Sequence, residues 1–377
     1  MAVLTESDVR TALSKVIDPE IRKPITDLGM VKSIDISDDG AVGVGIYLTT
    51  SGCPMKTEIS DRVKNAVADV AGVGTVSVEL DVMNDEQRTE LRKSLRGDSA
   101  EPIIPFAQPG SLTRVYAVAS GKGGVGKSTV TANLAVALAD QRLSVGLVDA
   151  DVHGFSIPGL LGIPAGTQPT RIDDLMLPPV AHGVKTISIG MFLRDGESVV
   201  AWRGPMLHRT VSQFLTDVFF GDLDVLLIDM PPGTGDIAIS IGQLLPHAEV
   251  LVVTTPQTAA AEVAIRSGLV ARQTGQRVIG VIENMAAYTL PDGTLIDLFG
   301  SGGGAAVAEA LSEPGATVPL LASIPLSPAL RQGGDAGEPI VGGGTTDAAA
   351  ATIRDLAATL ARQGRGLSGR SLPMSIG

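Results

Sequence analysis

"AVASGKGGVGKSTVTANLAVAL", residues 117–138, decides the fold. An apolar, β-branched run ends at Ser120, four glycines fall within positions 121–126, and a stretch rich in alanine and valine follows at helical spacing. Gly121, Gly126, Lys127 and Ser128 satisfy G-x-x-x-x-G-K-[ST] between a predicted strand and a predicted helix, the setting this phosphate-binding loop requires. Gly123, Gly124 and Gly126, with Val125 among them, let backbone N–H groups turn inward around phosphate oxygens. Lys127 is then expected near the β and γ phosphates of ATP, Ser128 on Mg²⁺, and Thr129 within reach of the α-phosphate. The alternative, a glycine-rich turn that binds nothing, leaves the strand and helix on either side unexplained.

The segments around this loop repeat its pattern. "RVYAVAS", "SVGLVDAD", "DVLLIDM", "EVLVVTT", "RVIGVIEN" and "PLLASIP" are short, β-branched and unalternating, and helical stretches separate them. Strands of this kind are buried on both faces, so residues 114–363 are predicted to form an α/β, doubly wound, mainly parallel sheet of the P-loop NTPase kind. A composition of 44% hydrophobic but only 3% aromatic residues fits a core of Ala, Val, Leu and Ile. Residues 1–83 read differently, as helix, strand, strand, helix, strand, with a capping box at Thr5 and Asp8; they predict a small α+β domain. Residues 84–113 are charged, then rich in Pro and Gly, and read as a linker. The tail 364–377, "GRGLSGRSLPMSIG", is expected to be disordered.

Bulk properties exclude several classes. A formal net charge of -12 argues against a general nucleic-acid binder, which needs a positive field to displace counterions. No apolar run reaches the length a bilayer requires and "MAVLTESDVR" has no apolar signal region, so a cytoplasmic protein without a membrane partner is expected. One cysteine rules out an intrachain disulfide.

Carboxylates follow the loop at the ends of later strands. Asp149 and Asp151 in "GLVDADVHG" are expected beside the γ-phosphate, Asp151 orienting the attacking water and Asp149 supporting Mg²⁺ from behind; a strand-end carboxylate that caps a loop is the other reading of Asp149. Asp229 in "DVLLIDMPPGTGD" ends a wholly apolar strand, where a carboxylate requires a cation nearby. Pro231 to Gly235 reads as a loop that senses the γ-phosphate, with Asp236 at its edge. His153, His182, His208 and His247 show no metal-ligand spacing.

Lys122, one lysine more than the loop requires, resembles the deviant Walker A lysine of the MinD and ParA class of ATPases. That resemblance implies a face-to-face homodimer in which Lys122 reaches the partner's nucleotide and stabilises transition-state charge; otherwise it is a solvated loop lysine. "SGKGGVGKST", "DADVHGFSIPGLLG", "WRGPM", "LLIDMPPGTGD", "IENM", "FGSGGG" and "IPLSPALRQGGDAGEPI", in this order, resemble the Mrp/ApbC/Nbp-type family of iron–sulfur cluster carrier ATPases. "DPEIRKPITDLGMV" and "TTSGCPM" resemble a small iron–sulfur assembly-type domain often fused to them. The resemblance implies that Asn284 reads the adenine edge, that the loop at Pro325 lines the base pocket, and that an iron–sulfur cluster passes to client apoproteins with the help of assembly factors.

This chain departs from the family at one place. Members carry a C-x-x-C between "ENM" and "FGSGG", where thiolates from two protomers hold a bridging cluster; here the segment reads "IENMAAYTLPDGTLIDLFGSGGG". Asp292 and Asp297 lie in the gap, but hard oxygen ligands hold a cluster poorly. Cys53 is the remaining thiol. After a strand and before a predicted helix it is a candidate cluster or transfer ligand, or else a small buried apolar residue. Three functions therefore compete: a cluster carrier driven by ATP, an ATPase or regulatory adaptor that has lost the cluster, and a MinD/ParA-like positioning ATPase.

Overall fold

Thr5 and Asp8 do close a capping box: the Thr5 N–H donates to the Asp8 carboxylate at 3.0 Å and the Asp8 N–H donates to Thr5 Oγ1 at 3.3 Å. They start α1 (Glu6–Leu13). The computed structural model describes residues 4–50, 55–96, 103–108, 110–193, 204–290 and 292–363; Cys53 and the tail from Gly364 lie outside them. After α1 come β1 (Val31–Ile36), β2 (Val42–Leu48), α2 (Lys56–Ala68) and β3 (Val76–Val82), in the expected order. The central strand β2 is antiparallel to β1 and parallel to β3. Its alternate residues Val42, Val44, Ile46 and Leu48 are buried in one core with Val9 and Leu13 of α1 and Ile59 and Val63 of α2.

Residues 84–96, expected to open a linker, instead begin with a helix, α3 (Asp85–Arg96). Asn84 and Gln87 supply the reason. The Gln87 N–H donates to Asn84 Oδ1 at 2.8 Å and the Asn84 N–H donates to Gln87 Oε1 at 2.9 Å, a reciprocal cap in amide form. The stretch is rich in strong helix formers and buries a single large apolar side chain, Leu91, so it shows no apolar stripe.

The second unit is the larger. Its elements, with the hairpin β6–β7 that the first unit claims, are β4 (Arg114–Ser120), α4 (Lys127–Ala139), β5 (Val145–Asp149), α5 (Ile157–Leu160), β6 (Thr170–Ile172), β7 (Leu175–Leu177), β8 (Val180–Ala181), β9 (Val184–Ser188), α6 (Gly204–Asp217), β10 (Val225–Asp229), α7 (Asp236–Leu244), β11 (Glu249–Thr254), α8 (Thr258–Gln273), β12 (Arg277–Ala286), β13 (Tyr288–Thr289), β14 (Leu295–Ile296), α9 (Gly303–Ala310), β15 (Leu320–Pro325), α10 (Pro328–Ala336) and α11 (Ala348–Arg362). Eight strands form one sheet in the order β15-β12-β11-β4-β10-β5-β9-β8. From β15 to β9 every neighbouring pair is parallel. The six predicted strands are all present, and the fold is the α/β arrangement the sequence implies. A seventh parallel strand, β9, was not expected: "VKTIS" carries a lysine, a threonine and a serine, yet all five residues are buried. No helix among the described residues is long and apolar enough to cross a membrane.

β4 lies between β10 and β11. From it the chain builds to β5 and β9 on one side and to β11, β12 and β15 on the other. In such a sheet the crevice at the carboxyl end of the central strand is where ligands bind. The glycine-rich loop leaves from that end.

The first unit is not continuous in sequence. It comprises residues 1–102, 169–180 and 217–221. Ile172, Leu175 and Leu177 of the β6–β7 hairpin are fully buried in the same core as Val9, Leu13 and Ile46. Arg92 and Arg96 of α3 pair with Asp173 and Asp174 at the hairpin turn over 3.6–4.0 Å. Leu175→Ala is expected to destabilise this unit by roughly 2–5 kcal/mol, the cost of a core cavity. Hydrogen exchange checks it: amides of β2 should exchange faster while those of β4 and β10 keep wild-type rates.

Candidate functional site

The site is assembled by the parallel register of three strands. β10 pairs with β4 and β5 so that Asp229 stands beside Val118 on one side and Asp149 on the other. Two carboxylates thereby end adjacent buried strands, both fully inaccessible to water. Unpaired, such charges would be very costly.

Asp229 is satisfied completely. Lys127 Nζ donates to its Oδ2 at 2.7 Å, Ser128 Oγ donates to the same oxygen at 2.6 Å, and Thr131 Oγ1 donates to Oδ1 at 2.9 Å. All three partners come from the first turns of α4. Lys127, with only 6% of its side chain exposed, is a buried cation matched to a buried anion. Thr131 was not singled out from sequence, although its place four residues after Lys127 puts it on the same helix face.

Asp149 is held differently. Its Oδ2 accepts from Ser188 Oγ at 2.9 Å and from the Ile157 N–H at 3.3 Å, and its Oδ1 accepts from the Asp151 N–H at 3.2 Å. These bonds tie β9, the loop 150–156 and α5 to the end of β5. Burial first, and the neighbouring charge of Asp229 second, push the Asp149 carboxyl up to about 7. Asp151 accepts from the Gly154 N–H at 3.2 Å, and burial raises its pKa while the Lys127 cation opposes the rise.

The loop itself is shaped by close approach. A methyl on Gly121 would lie 2.2 Å from the Val263 carbonyl carbon and 2.4 Å from the Ala264 nitrogen in α8, so only glycine fits there. Gly126, at φ +82, sits against Asn284, whose Nδ2 donates to the Val125 carbonyl at 2.9 Å. Asn284 is thus engaged with the loop's own backbone, a partner the sequence did not suggest. Pro325, at the end of β15, pairs with Ala286, the last residue of β12. Gly123 and Gly124 are exposed, and Thr129 offers its carbonyl to Asn133 Nδ2 at 3.0 Å. Lys122 Nζ reaches Gln257 Oε1 at 3.3 Å, at the cap of α8. Between Met285 and Phe299 the chain forms the small antiparallel hairpin β13–β14, with Leu295 66% and Leu298 61% exposed. No three His, Cys, Asp or Glu side chains gather into a metal site among the described residues.

Known proteins match over nearly the whole chain. The family described as NUBPL iron-transfer P-loop NTPase matches residues 111–361, and the family described as iron-sulfur cluster assembly protein matches residues 6–78. A protein of Mycobacterium tuberculosis named iron-sulfur cluster carrier protein is 62% identical over 365 residues, covering 97% of this chain and 95% of the relative. One of the same name from Bacillus subtilis is 38% identical over 328 residues, covering 86% of this chain and 89% of the relative. Among solved structures, a nucleotide-binding protein from Archaeoglobus fulgidus in complex with ADP is 34% identical with a TM-score of 0.51, covering 62% of this chain and 93% of that one. The septum site-determining protein MinD from Pyrococcus horikoshii, complexed with Mg-ADP, is 26% identical with a TM-score of 0.51, covering 66% and 96%.

The buried Asp149 carboxyl makes the site sensitive to pH. Folding raises the Asp149 pKa, so the folded chain binds more protons between 3.8 and about 7 and the stability from this group falls as pH rises through that window. In the nucleotide-free protein, carbon-detected NMR should show Asp149 titrating near neutrality, and Asp229→Asn should lower the midpoint. A wild-type midpoint in the ordinary carboxylate range would contradict the assignment.

Proposed function

This chain belongs to the family of NUBPL-type iron-transfer P-loop NTPases, and on that footing we propose that it binds and hydrolyses ATP and carries iron–sulfur clusters to client apoproteins. The cluster of Lys127, Ser128 and Asp229 at the carboxyl ends of β4 and β10 carries the nucleotide half of the reading. The carrier half draws on relatives of that name that align over almost their full length.

In the resting site the Lys127 ammonium neutralises Asp229. Arrival of the β and γ phosphates offers Lys127 a stronger, multiply charged partner, and the loop N–H groups of 123–128 supply donors for the same oxygens. Ser128 Oγ and, through water, Asp229 are hard oxygen donors of the kind Mg²⁺ prefers, and the two would hold it. Bound Mg²⁺ supplies charge neutralisation at the transferring phosphoryl group. Asp151, partly desolvated and held by the Gly154 N–H, orients the attacking water, while Asp149 keeps its loop in place. Lys122 acts across a homodimer on the partner's nucleotide. Lys122→Ala is expected to bind ATP normally and lose most hydrolysis, and mixing it with Asp151→Asn should restore activity through hybrid sites. Full activity of the single Lys122→Ala variant would remove its role.

A second reading rests on the β13–β14 hairpin, which stands where the family resemblance calls for a C-x-x-C. Without those thiolates the chain would be an ATPase or adaptor that no longer holds a cluster. Cysteine count separates the two: a homodimer brings two Cys53 thiols, so a [4Fe–4S] cluster needs further ligands from small thiols or from the client. Anaerobic reconstitution is expected to yield a labile cluster, measured as iron, sulfide and visible absorbance, that Cys53→Ser removes while ATP hydrolysis continues. Failure of the wild type to take up iron and sulfide would favour the second reading.

A further inference from the structure

The end of β12 grips two parts of the second unit at once. Asn284 has 4% of its surface exposed, and its amide reaches the phosphate loop at the Val125 carbonyl, 2.9 Å away. Glu283, the residue before it and 6% exposed, projects the opposite way, as neighbours in a strand do. Its Oε1 accepts from the Gly304 N–H at 2.8 Å and its Oε2 from Ser323 Oγ at 2.7 Å, fastening the strand to the start of α9 and to β15. Met285 follows in the left-handed region at φ +58, a conformation uncommon for an unbranched residue outside turns, and its Cε lies 3.6 Å from where a Gly126 methyl would be.

Val125 stands between Gly124 at φ +80 and Gly126 at φ +82. Glycines on both sides leave this stretch of backbone with little preference of its own. The Val125 carbonyl and the Gly126 N–H belong to one planar trans peptide, so they point in opposite directions. Holding the carbonyl toward Asn284 therefore turns the Gly126 N–H away from it. That N–H is one of the donors a phosphate-binding loop must keep converged.

We propose that Asn284 is a positioning residue of the phosphate loop: its amide fixes the 125–126 peptide in the orientation that aims the Gly126 N–H at phosphate, with Glu283 anchoring the strand end from behind. The inference rests on the loop being a nucleotide site and assigns Asn284 to the phosphate end of the ligand. A residue that reads the base discriminates between bases; a residue that holds the loop affects every polyphosphate alike.

The test compares dissociation constants of MgATP, MgGTP and Mg-tripolyphosphate for the full-length wild type, Asn284→Ala and Asn284→Leu, the last keeping the volume while removing the donor. All three ligands should weaken by the same factor in both variants, about tenfold, the scale of one buried hydrogen bond. The Gly126 amide, followed by NMR without nucleotide, should shift and exchange faster. A loss confined to ATP, with tripolyphosphate binding unchanged, would overturn the proposal, as would variants that bind every ligand like the wild type. If the wild type binds none of the three, the nucleotide-site reading falls first and this inference with it.

Discussion

A carboxylate with no access to water, at the end of a strand made of Val, Leu, Leu and Ile, must find its counter-charge inside the protein. Asp229 finds it in Lys127, and much of the second unit is arranged so that the two can meet. The lysine reaches it because α4 begins directly above the sheet. That start requires a loop of glycines at left-handed φ, and the loop in turn needs the main chain of α8 against Gly121 and the amide of Asn284 against Gly126. Removing either partner of the pair would leave a charge buried without compensation. The same ion pair leaves the site ready for exchange, since a polyphosphate offers the lysine more charge than one carboxylate and Asp229 keeps two hydroxyl donors when the lysine departs.

Most of this second unit can be read from sequence because parallel sheets and phosphate loops leave strong local marks. The six apolar runs, the glycine spacing and the strand-end aspartates are each short-range signals. What escaped was set by tertiary packing. β9 reads as a mixed, polar stretch because Lys185, Thr186 and Ser188 are buried by their neighbours, and Ser188 earns its burial as the donor to Asp149. Helix α3 announces itself through helix-forming residues and the Asn84–Gln87 pair, an amide version of the usual cap, and not through an apolar stripe. Asn284 carries a family expectation about the base, and nothing local indicates that the Val125 carbonyl lies within its reach. The stretch 149–156 looks like catalytic chemistry alone, yet the first of its two aspartates, Asp149 at the end of β5, is also the knot that ties β5 to β9.

The interruption of the first unit has the same origin. β6 and β7 are three residues each, too short for a pattern to declare them, and their apolar residues read as part of the domain that surrounds them in sequence. Only the packed structure assigns Ile172, Leu175 and Leu177 to the core built by α1, β2 and α2.

Such an interruption sets an order of events during synthesis. A ribosome that has released residues 1–102 has delivered the strands and helices of the first unit but not the hairpin that fills its core. The hairpin follows only once residues 169–180 have emerged, by which time the phosphate loop and the ends of β4 and β5 are also outside the tunnel. Domains usually fold as units, amino-terminal first, as they are made. Here part of the amino-terminal core is made after the phosphate loop, so its last apolar residues reach the first unit only when the opening strands of the second have already emerged.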